Sequence, residues 1–511
     1  MRRAEKPGSI PWVPAISQGN HKGCPYPQPN DGEYPRSQHH GKTMWKKYLL
    51  LTAAAAVLGS LAGCAAVGPD YAPPAENAPV AWHTELREGL AAEALDPRLL
   101  ARWWTTLDDP LLAGLIEQAV NNNLDLQQAG ARVREARARR GVSRAGLFPT
   151  LDATGSETRS KGSESSGSGA TRSFYSLGFD AGWEVDIFGG VRRGVEAADA
   201  DLAASREDLR DVLVTLTSEV ALNYLDTRTF QSRLHVAEVN LAIQQQTYDL
   251  IEARYQAGLS DELALQQARY NLESTRAQIP ALRSSLEEAK NRLAVLTGRP
   301  PGAVHELLAE RKPIPVIPPT VAVGVPAETL RQRPDIRRAE RNLAAQTARI
   351  GVATADLYPK LRLTGSIGLE SLKSADLFKS ASETWNIGPS ASWNIFDAGA
   401  IRQNIEVQSA IQEQFLLAYE AALLTALEEV ENALTAYAEE QLRRQLLLAA
   451  VEAARQAEVL SGYEYNAGLV DFNTVLDAQR SLLSFEDQLS QSDGTVTANL
   501  VRLYKALGGG W

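Results

Sequence analysis

The residues that could do chemistry are few, and no motif brings them together. The 511-residue chain has two cysteines, Cys24 and Cys64, and six histidines, three of which precede residue 44. The others, His83, His235 and His305, lie far apart and belong to no ligand or catalytic motif. No phosphate-binding loop, Gly-x-Ser-x-Gly or His-Glu-x-x-His sequence occurs. We therefore predict that the protein is not an enzyme, holds no metal or cofactor, and depends on a partner for energy.

Cys64 differs from the other candidates because it ends a segment typical of secretion signals. Two lysines precede the apolar run Tyr48–Gly63, which is shorter than the ~20 residues that span a bilayer as a helix. A short membrane anchor or a core helix is the alternative for this run. Its end, Leu61-Ala62-Gly63-Cys64, resembles a bacterial lipobox. That resemblance implies cleavage before Cys64, diacylglycerol on its thiol, an acyl chain on the new amine, and sorting to the outer membrane because Ala65 follows.

The charge balance excludes one class of partner. Lys and Arg number 52 against 62 Asp and Glu, which leaves a formal net charge of -10. A protein that binds nucleic acid through its phosphates needs a basic surface. We therefore expect no nucleic-acid partner.

The strongest pattern is an internal repeat at a constant offset of 210 residues. A shared offset over this length indicates duplication of one structural unit, since the period is far longer than that of a solenoid. The matches include Gly141 with Gly351, Leu147-Phe148-Pro149 with Leu357-Tyr358-Pro359, Trp183 with Trp393, and Tyr255-x-Ala257-Gly258-Leu259-x-Asp261 with Tyr465-x-Ala467-Gly468-Leu469-x-Asp471.

The repeat and the signal segment together divide the chain. Residues 1–43 are rich in Pro, Gly and His and show no hydrophobic period, so we interpret them as a mis-called start or an extension. The predicted divisions are a signal peptide at 44–63, an N-terminal linker and lipid anchor at 64–107, a first repeat at 108–298, a proline-rich connector at 299–326, and a second repeat at 327–511.

Each repeat has the same predicted order of elements. A helix comes first, at 108–146 and again at 327–356, and a proline ends it. Two strands with alternating apolar residues follow. The predicted strands are Thr150–Arg159 and Phe174–Phe188 in the first repeat, and Lys360–Glu370 and Trp385–Phe396 in the second.

Very long helices follow the strands. From Val191 to Ala257 only Gly194 interrupts a helical composition, which predicts a helix roughly 100 Å long. Leu234, Leu241, Tyr248 and Tyr255 recur every seven residues, as in coiled coils. A return helix of about 35 residues follows each long helix, and we expect Pro280 to kink the first of them.

These elements require partners. A helix of this length cannot bury its apolar stripe against a compact core of its own chain. Four strands cannot close a membrane barrel, because the smallest has about eight and an open edge is not tolerated in lipid. The pattern therefore predicts a homo-oligomer with a shared barrel, and it leaves the number of chains open.

The residues also carry a family resemblance. The lipobox, Val67-Gly68-Pro69-Asp70-Tyr71, Trp103-Trp104, the duplicated unit and the C-terminal segment from Tyr465 to Trp511 resemble TolC-like outer-membrane efflux channels of the lipoprotein (NodT or OprM) branch. The resemblance implies a homotrimer in the outer membrane whose twelve strands form one β-barrel, continued by an α-helical barrel into the periplasm. It also implies a periplasmic adaptor and an inner-membrane transporter, usually of the resistance-nodulation-division class. The alternatives are a lipid-anchored coiled-coil structural or adaptor protein, and a lipid-anchored enzyme.

The same resemblance implies a gate where the long helices reverse. Gly258 and Gly468 suit the left-handed end of a helix, and Asp261 and Asp471 suit the N-caps of the return helices. Tyr465 and Asp477 match the family's constricting positions, whereas Thr474 stands where some members have an acidic residue. Three symmetry-related Asp477 carboxylates would attract cations. The sequence alternative is a solvated Asp477 and a packed Tyr465. We also predict an aromatic belt at the membrane from Phe174, Tyr175, Trp183, Trp385 and Trp393, or alternatively simple strand packing.

Overall fold

The computed structural model describes residues 66–75, 79–94, 96–315 and 320–511. The signal segment and Cys64 lie outside the described residues. The predicted mixed helix-and-strand fold with an internal duplication is confirmed. Before the first repeat the chain forms β1 (Leu90–Ala91), α1 (Pro97–Ala101) and a 3₁₀ helix (Trp103–Leu107).

The two repeats contain the same elements in the same order. The first has α2 (Pro110–Asn122), α3 (Leu124–Ala145), β2 (Thr150–Lys161), β3 (Thr171–Val185), α4 (Gly190–Gln256) and α5 (Glu262–Leu296). After β4 (Val321–Ala322), the second has α6 (Pro326–Gln332), α7 (Pro334–Ala355), β5 (Lys360–Ser371), β6 (Glu383–Ser392), α8 (Ala400–Asn466) and α9 (Phe472–Ala506).

The long helices have equal lengths in the two repeats, and so do the return helices. The long helices α4 and α8 both have 67 residues, and the return helices α5 and α9 both have 35. A 67-residue helix is roughly 100 Å long. Pro280 lies inside α5 and does not end it.

The predicted opening helix of each repeat is wrong in one respect, because each is broken in two. Asn123 separates α2 from α3, and its side-chain oxygen accepts a hydrogen bond from the Leu126 amide at 3.0 Å. In the second repeat Arg333 separates α6 from α7. A new helix therefore starts after each break, and only the Asn123 side chain caps it with a hydrogen bond.

The four long strands form one antiparallel sheet in the order β2-β3-β5-β6. The strands differ from the predicted spans mainly at their second members: β3 ends at Val185 and β6 at Ser392. The end of β3 has a local cause. Asp186 accepts hydrogen bonds from the Val191 and Arg192 amides at 3.2 and 2.8 Å, and so begins the turn into α4.

The main hydrophobic core lies where the ends of the shorter helices meet the middle of α4 and α8. Trp103 is fully buried there, and its ring stacks on Tyr504 at 5.7 Å between centroids. The cluster combines residues from both repeats, among them Leu112, Tyr224, Leu293, Leu434 and Leu500. This core fixes the return helices against the long helices, and so fixes where the helix tips lie. Across the described residues, no helix is apolar over a length sufficient to cross a membrane.

Candidate functional site

The four-stranded sheet has an apolar face and a polar face. One row across the strands consists of Ala153, Phe179, Ile367 and Trp385. The adjacent row consists of Asp152, Asp180, Ser366 and Asn386. Ile367 is 65% and Trp385 75% exposed, so none of the described residues covers the apolar face at these positions. This alternation is the pattern of a membrane barrel strand, with lipid outside and water inside.

The predicted aromatic belt needs one correction. Tyr175 and Trp183 share the parity of Phe179 on β3, so they lie on the apolar face together with Trp385. Phe174 has the opposite parity and lies on the polar face. Trp393 lies just beyond β6, and its indole donates to the Leu357 carbonyl at 3.0 Å. In the first repeat Trp183 donates to the Leu147 carbonyl at 3.0 Å in the same way.

The two tip turns have matching geometry. Gly258 and Gly468 adopt φ values of 71° and 74°, which side chains disfavour. The Leu259 and Leu469 amides close the helix ends by donating to the Arg254 and Glu464 carbonyls at 2.8 and 2.9 Å. Asp261 and Asp471 are the N-caps of the return helices, and they accept from the Ala264 and Thr474 amides at 2.8 and 3.0 Å.

Tyr465 packs within the tip of its own chain. Its ring lies 5.5 Å from the Phe472 ring, and the Arg254 guanidinium lies 5.0 Å from its centroid. It borders a small core formed by Ile251, Ala264, Ala268, Phe472, Val475 and Leu476. Tyr255, its counterpart in the first repeat, is 40% exposed. The Tyr465 ring is therefore held on two sides by residues of its own chain, and these contacts need no neighbouring chain.

Asp477 faces solvent and carries one partner. Its side chain is 72% exposed and accepts from Arg480 at 3.2 Å, one turn further along α9. Arg480 also donates to the Asn271 side chain at 3.0 Å and to the Tyr270 hydroxyl, both on α5. The Thr474 hydroxyl donates to Asp471 at 2.9 Å instead of adding a second carboxylate. Asp477 and Tyr465 are thus both at the tip, but within one chain they do not contact each other.

Sequence reasoning missed the exposed leucines of the two turns. Leu259 is 78% and Leu469 76% exposed. They occupy the same position of the repeat, next to the two glycines. The two repeats therefore present the same apolar side chain to solvent at both tips. The repeated Tyr-x-Ala-Gly-Leu-x-Asp motif contains these leucines, but its glycine and aspartate indicate only the end of one helix and the start of the next.

The histidines do not form a site. His305 pairs with Glu287 at 2.6 Å, and His83 contributes its backbone amide to Glu431 at 2.6 Å. Hydrogen bonds from Lys290 and His305 lower the pKa of Glu287, while burial opposes them. Within the described ranges, no group of three or more His, Cys, Asp or Glu side chains could hold a metal ion.

The strands and the long helices define the class of protein to which the chain belongs. A four-stranded sheet with an apolar outer face and two open edges, β2 and β6, is one part of a membrane barrel. Helices of 67 residues continue from its strands and end in tips that carry exposed leucines. The chain is one protomer of a membrane channel that continues as a helical tunnel.

The chain belongs to the outer membrane efflux protein family, whose model matches residues 115–299 and 325–509. It is 33% identical over 434 residues to nodulation protein T of Rhizobium leguminosarum bv. trifolii, covering 84% of this chain and 91% of that protein. It is 37% identical over 419 residues to the pyoverdine export outer membrane protein OpmQ of Pseudomonas putida, covering 80% and 88%. The solved outer-membrane channel OprN matches with a TM-score of 0.82 and 36% identity, covering 87% of this chain and 99% of that one.

Family membership confirms the predicted class and location. The protein is an outer-membrane efflux channel that extends into the periplasm, and it is not an enzyme. Three chains combine their four-stranded sheets into one twelve-stranded barrel, which continues as the α-helical barrel. The two alternatives, a coiled-coil structural or adaptor protein and a lipid-anchored enzyme, are excluded.

Proposed function

We propose that the chain is the passive exit duct of a tripartite efflux pump. Cargo enters at the periplasmic tips, delivered by an inner-membrane transporter of the resistance-nodulation-division class through a periplasmic adaptor. The sequence contains no motif that binds a nucleotide. Transport against a gradient therefore needs an energy source outside this chain, which supports a transporter partner.

The exposed leucines of the two tips carry the adaptor part of the proposal. Leu259 and Leu469 stand at the two reversals of the chain, so a trimer presents six such side chains around one mouth. An adaptor that covers them removes apolar surface from water at each contact. Because both repeats keep leucine at this position, both kinds of tip can be bound alike.

The gate belongs to the same mouth. Tyr465 and Asp477 are our candidates for the constriction, with the turns at Tyr255–Asp261 and Tyr465–Asp471 as its frame. Three-fold symmetry brings three copies of each side chain around one axis. An exposed carboxylate such as Asp477 would then attract cations at the mouth.

Cys64 is the proposed site of covalent lipid, with diacylglycerol on its thiol and an acyl chain on its amine. The lipid would hold the N-terminus at the membrane. Two such acyl-bearing groups provide stable anchoring, whereas a single chain is reversible.

The test separates the duct from its attachment to a pump. Purified trimer is reconstituted in planar bilayers, where we expect single-channel currents. In cells, a photo-crosslinking amino acid at position 469 should capture a periplasmic protein identified by mass spectrometry as an adaptor with a long helical hairpin. The same probe at Leu446, which is 65% exposed in α8, is the matched control. For the double variant the probe is moved to Asn466, an exposed residue of the same tip, and Leu259→Asp with Leu469→Asp should abolish its capture of the adaptor and leave conductance unchanged.

Either half of the proposal can fail on its own. No current from a folded trimer would overturn the duct. Capture from position 446 but not from 469, or unaltered capture in the double variant, would overturn adaptor binding at the leucines.

A further inference from the structure

Arg193 holds the chain segment that follows the proposed lipid site. The segment is 66–70, and Arg193 lies at the start of α4, where the strands end. The guanidinium donates to the carbonyls of Ala66, Val67 and Gly68 at 3.4, 3.1 and 3.3 Å, and to Asp70 at 2.7 Å. One side chain therefore binds three consecutive backbone carbonyls and a carboxylate.

The contact is buried, and a buried guanidinium that lacks hydrogen-bond acceptors destabilises the folded state. The Arg193 side chain is only 5% exposed, and its remaining donor pairs with Glu196 at 2.8 Å. Burial lowers the pKa of Arg193, but the hydrogen bonds to Asp70 and Glu196 outweigh burial and the pKa is raised. A buried guanidinium without the segment would lose most of its acceptors. The segment also donates from the Val67 amide to the Phe188 carbonyl at 3.0 Å.

Three glycines clear the space in which the segment lies. A Cβ on Gly68 would overlap the backbone of Gly351, and a Cβ on Gly189 would overlap Ala66. A Cβ on Gly351 would lie 2.8 Å from the Arg193 Cγ. These glycines belong to three separate parts of the chain. Because these three residues lack a side chain, α7, the start of α4 and the N-terminal segment can pack against one another.

The duplication provides an internal comparison for this site. At the corresponding places of the other repeat, a Cβ on Gly141 or on Gly399 meets nothing within 4 Å of it in the protomer. Gln403 takes the position of Arg193 and is exposed. The close packing therefore belongs to the docked segment, and the duplicated fold does not by itself require it.

We propose that Arg193, with Gly68, Gly189 and Gly351, forms an intramolecular docking site for the acylated N-terminus. By fixing residues 66–70 to the junction of β3 and α4, it sets where the lipid enters the membrane relative to the barrel. The docking site thereby couples the anchor to barrel assembly. This inference rests on the proposed lipidation of Cys64, and Arg193 acts as a positioning residue because it contacts the segment and not the lipid.

The test compares single and double variants of the full chain in the outer membrane. Arg193→Met removes all five donors and keeps the apolar stem. Gln403→Met is the matched control in the second repeat. Cys64→Ala, exported by a signal peptide of the non-lipoprotein kind, removes the lipid. The measured quantities are the N-terminal mass, the fraction of protein recovered as heat-modifiable trimer, and amide hydrogen exchange in 66–70.

The expected result has three parts. Arg193→Met retains the lipid mass on Cys64, exchanges its 66–70 amides at least about tenfold faster, and forms several-fold less trimer. Gln403→Met behaves like the wild type. In the Cys64→Ala background, Arg193→Met causes no further loss of trimer, because both changes remove the same coupling.

The experiment distinguishes failure of the proposed lipidation from failure of the docking site. A wild-type chain without lipid on Cys64 would refute the lipidation on which the inference rests. A lipidated chain in which the two changes reduce trimer independently, or in which exchange at 66–70 is unchanged by Arg193→Met, would show that Arg193 serves general folding and would overturn the docking site.

Discussion

At the scale of single residues, the tip geometry refines the electrostatics expected of the gate. Asp477 already has a cationic partner in Arg480, and this arginine is bound to α5 through Asn271. Each Asp477 in a ring of three is thus accompanied by a guanidinium. Because the pair is largely exposed, solvent weakens the attraction between its members. In the proposed gate the Asp477 carboxylate would therefore keep part of its attraction for cations.

Tyr465 contributes differently, through its hydroxyl. The ring is held by Phe472 and Arg254 inside one chain, so Tyr465→Phe keeps the packing. Tyr465→Phe with Asp477→Ala should raise single-channel conductance by about twofold or more and weaken block by divalent cations, because in the proposed gate each change removes a polar contact that only the closed mouth makes. Planar-bilayer recording of purified trimer measures both effects.

A matched variant makes this gate prediction specific. At the repeat offset of 210 residues Tyr255 is the counterpart of Tyr465, whereas Gln267 stands at the counterpart of Asp477. Glu273 lies further from the tip and pairs with Arg276 at the same spacing as Asp477 with Arg480. Tyr255→Phe with Glu273→Ala therefore removes a tyrosine hydroxyl and an arginine-paired carboxylate away from the proposed constriction, and conductance should stay near the wild-type value. If the Tyr465 and Asp477 variant also conducts and blocks like the wild type, these residues do not form the gate.

The tip-turn residues could be predicted from the sequence because their roles depend only on neighbouring residues in the chain. Gly258, Gly468, Asp261 and Asp471 were readable because a helix end needs a positive φ and then a capping oxygen within a few residues. Arg193 had no such signature, because its acceptors are backbone carbonyls over 120 positions away in sequence. Because every residue has a backbone carbonyl, the residue types of the segment do not show that a distant arginine binds it.

At the scale of elements, the duplication repeats a joint between the helix break and the end of the return helix. Asn123 donates to the Leu296 carbonyl at 3.0 Å, and Arg333 donates to the Ala506 carbonyl at 2.7 Å. Gly298 and Gly508 follow with φ values of 71° and 80°. The same hydrogen-bonded joint is therefore made by the neutral Asn123 amide in the first repeat and by the charged Arg333 guanidinium in the second.

The charged joint should depend on pH. Burial raises the pKa of Asp335, but the hydrogen bonds and charge of Arg333 outweigh it and the pKa lies below its ordinary value of 3.8. A lowered folded pKa means that the contribution is complete above the unfolded value and is lost as pH falls through the folded one. Asp335→Asn should cost about 2 kcal/mol near neutral pH. The difference from the wild type should shrink as pH falls below about 4.

Thermal unfolding at a fixed scan rate, followed by circular dichroism, checks this prediction. Asn123→Ala is the matched control, because it removes the neutral version of the joint and its cost should not vary with pH. A pH-independent difference for Asp335→Asn would contradict the role of the Arg333 and Asp335 charges.

The order of the elements was predictable, and their internal breaks were missed. A helical composition over Val191–Ala257, interrupted only by Gly194, predicts the long helix, and the constant offset of 210 residues predicts the duplication. The sequence does carry a signal for the break at Asn123, because Asn121-Asn122-Asn123 is a run of poor helix formers that suit an N-cap; the helical composition on both sides hides it. Asn123 caps α3 locally and also donates to the Leu296 carbonyl, so local and tertiary contacts together set this boundary.

At the scale of the whole molecule, the three chains make a closed wall that no single chain can form. The open edges of β2 and β6 must pair with neighbouring chains, because an unpaired edge is not tolerated in lipid. The apolar face of each sheet then becomes one continuous outer belt. The polar face, with Asp152, Asp180 and Ser366, lines the water-filled interior.

Two adjacent residues of β5 test this arrangement because they point to opposite sides. Ile367 lies in the apolar row with Phe179 and Trp385, and Ser366 lies in the polar row with Asp180 and Asn386. Ile367→Arg places a charge against lipid, which costs about 2–4 kcal/mol per chain at mid-membrane, so recovery of heat-modifiable trimer should fall sharply. Ser366→Arg should assemble normally and change ion selectivity, because its charge faces water in the pore. Membrane fractionation and planar-bilayer recording distinguish the two outcomes, and normal assembly of Ile367→Arg with loss of Ser366→Arg would mean that the faces are reversed.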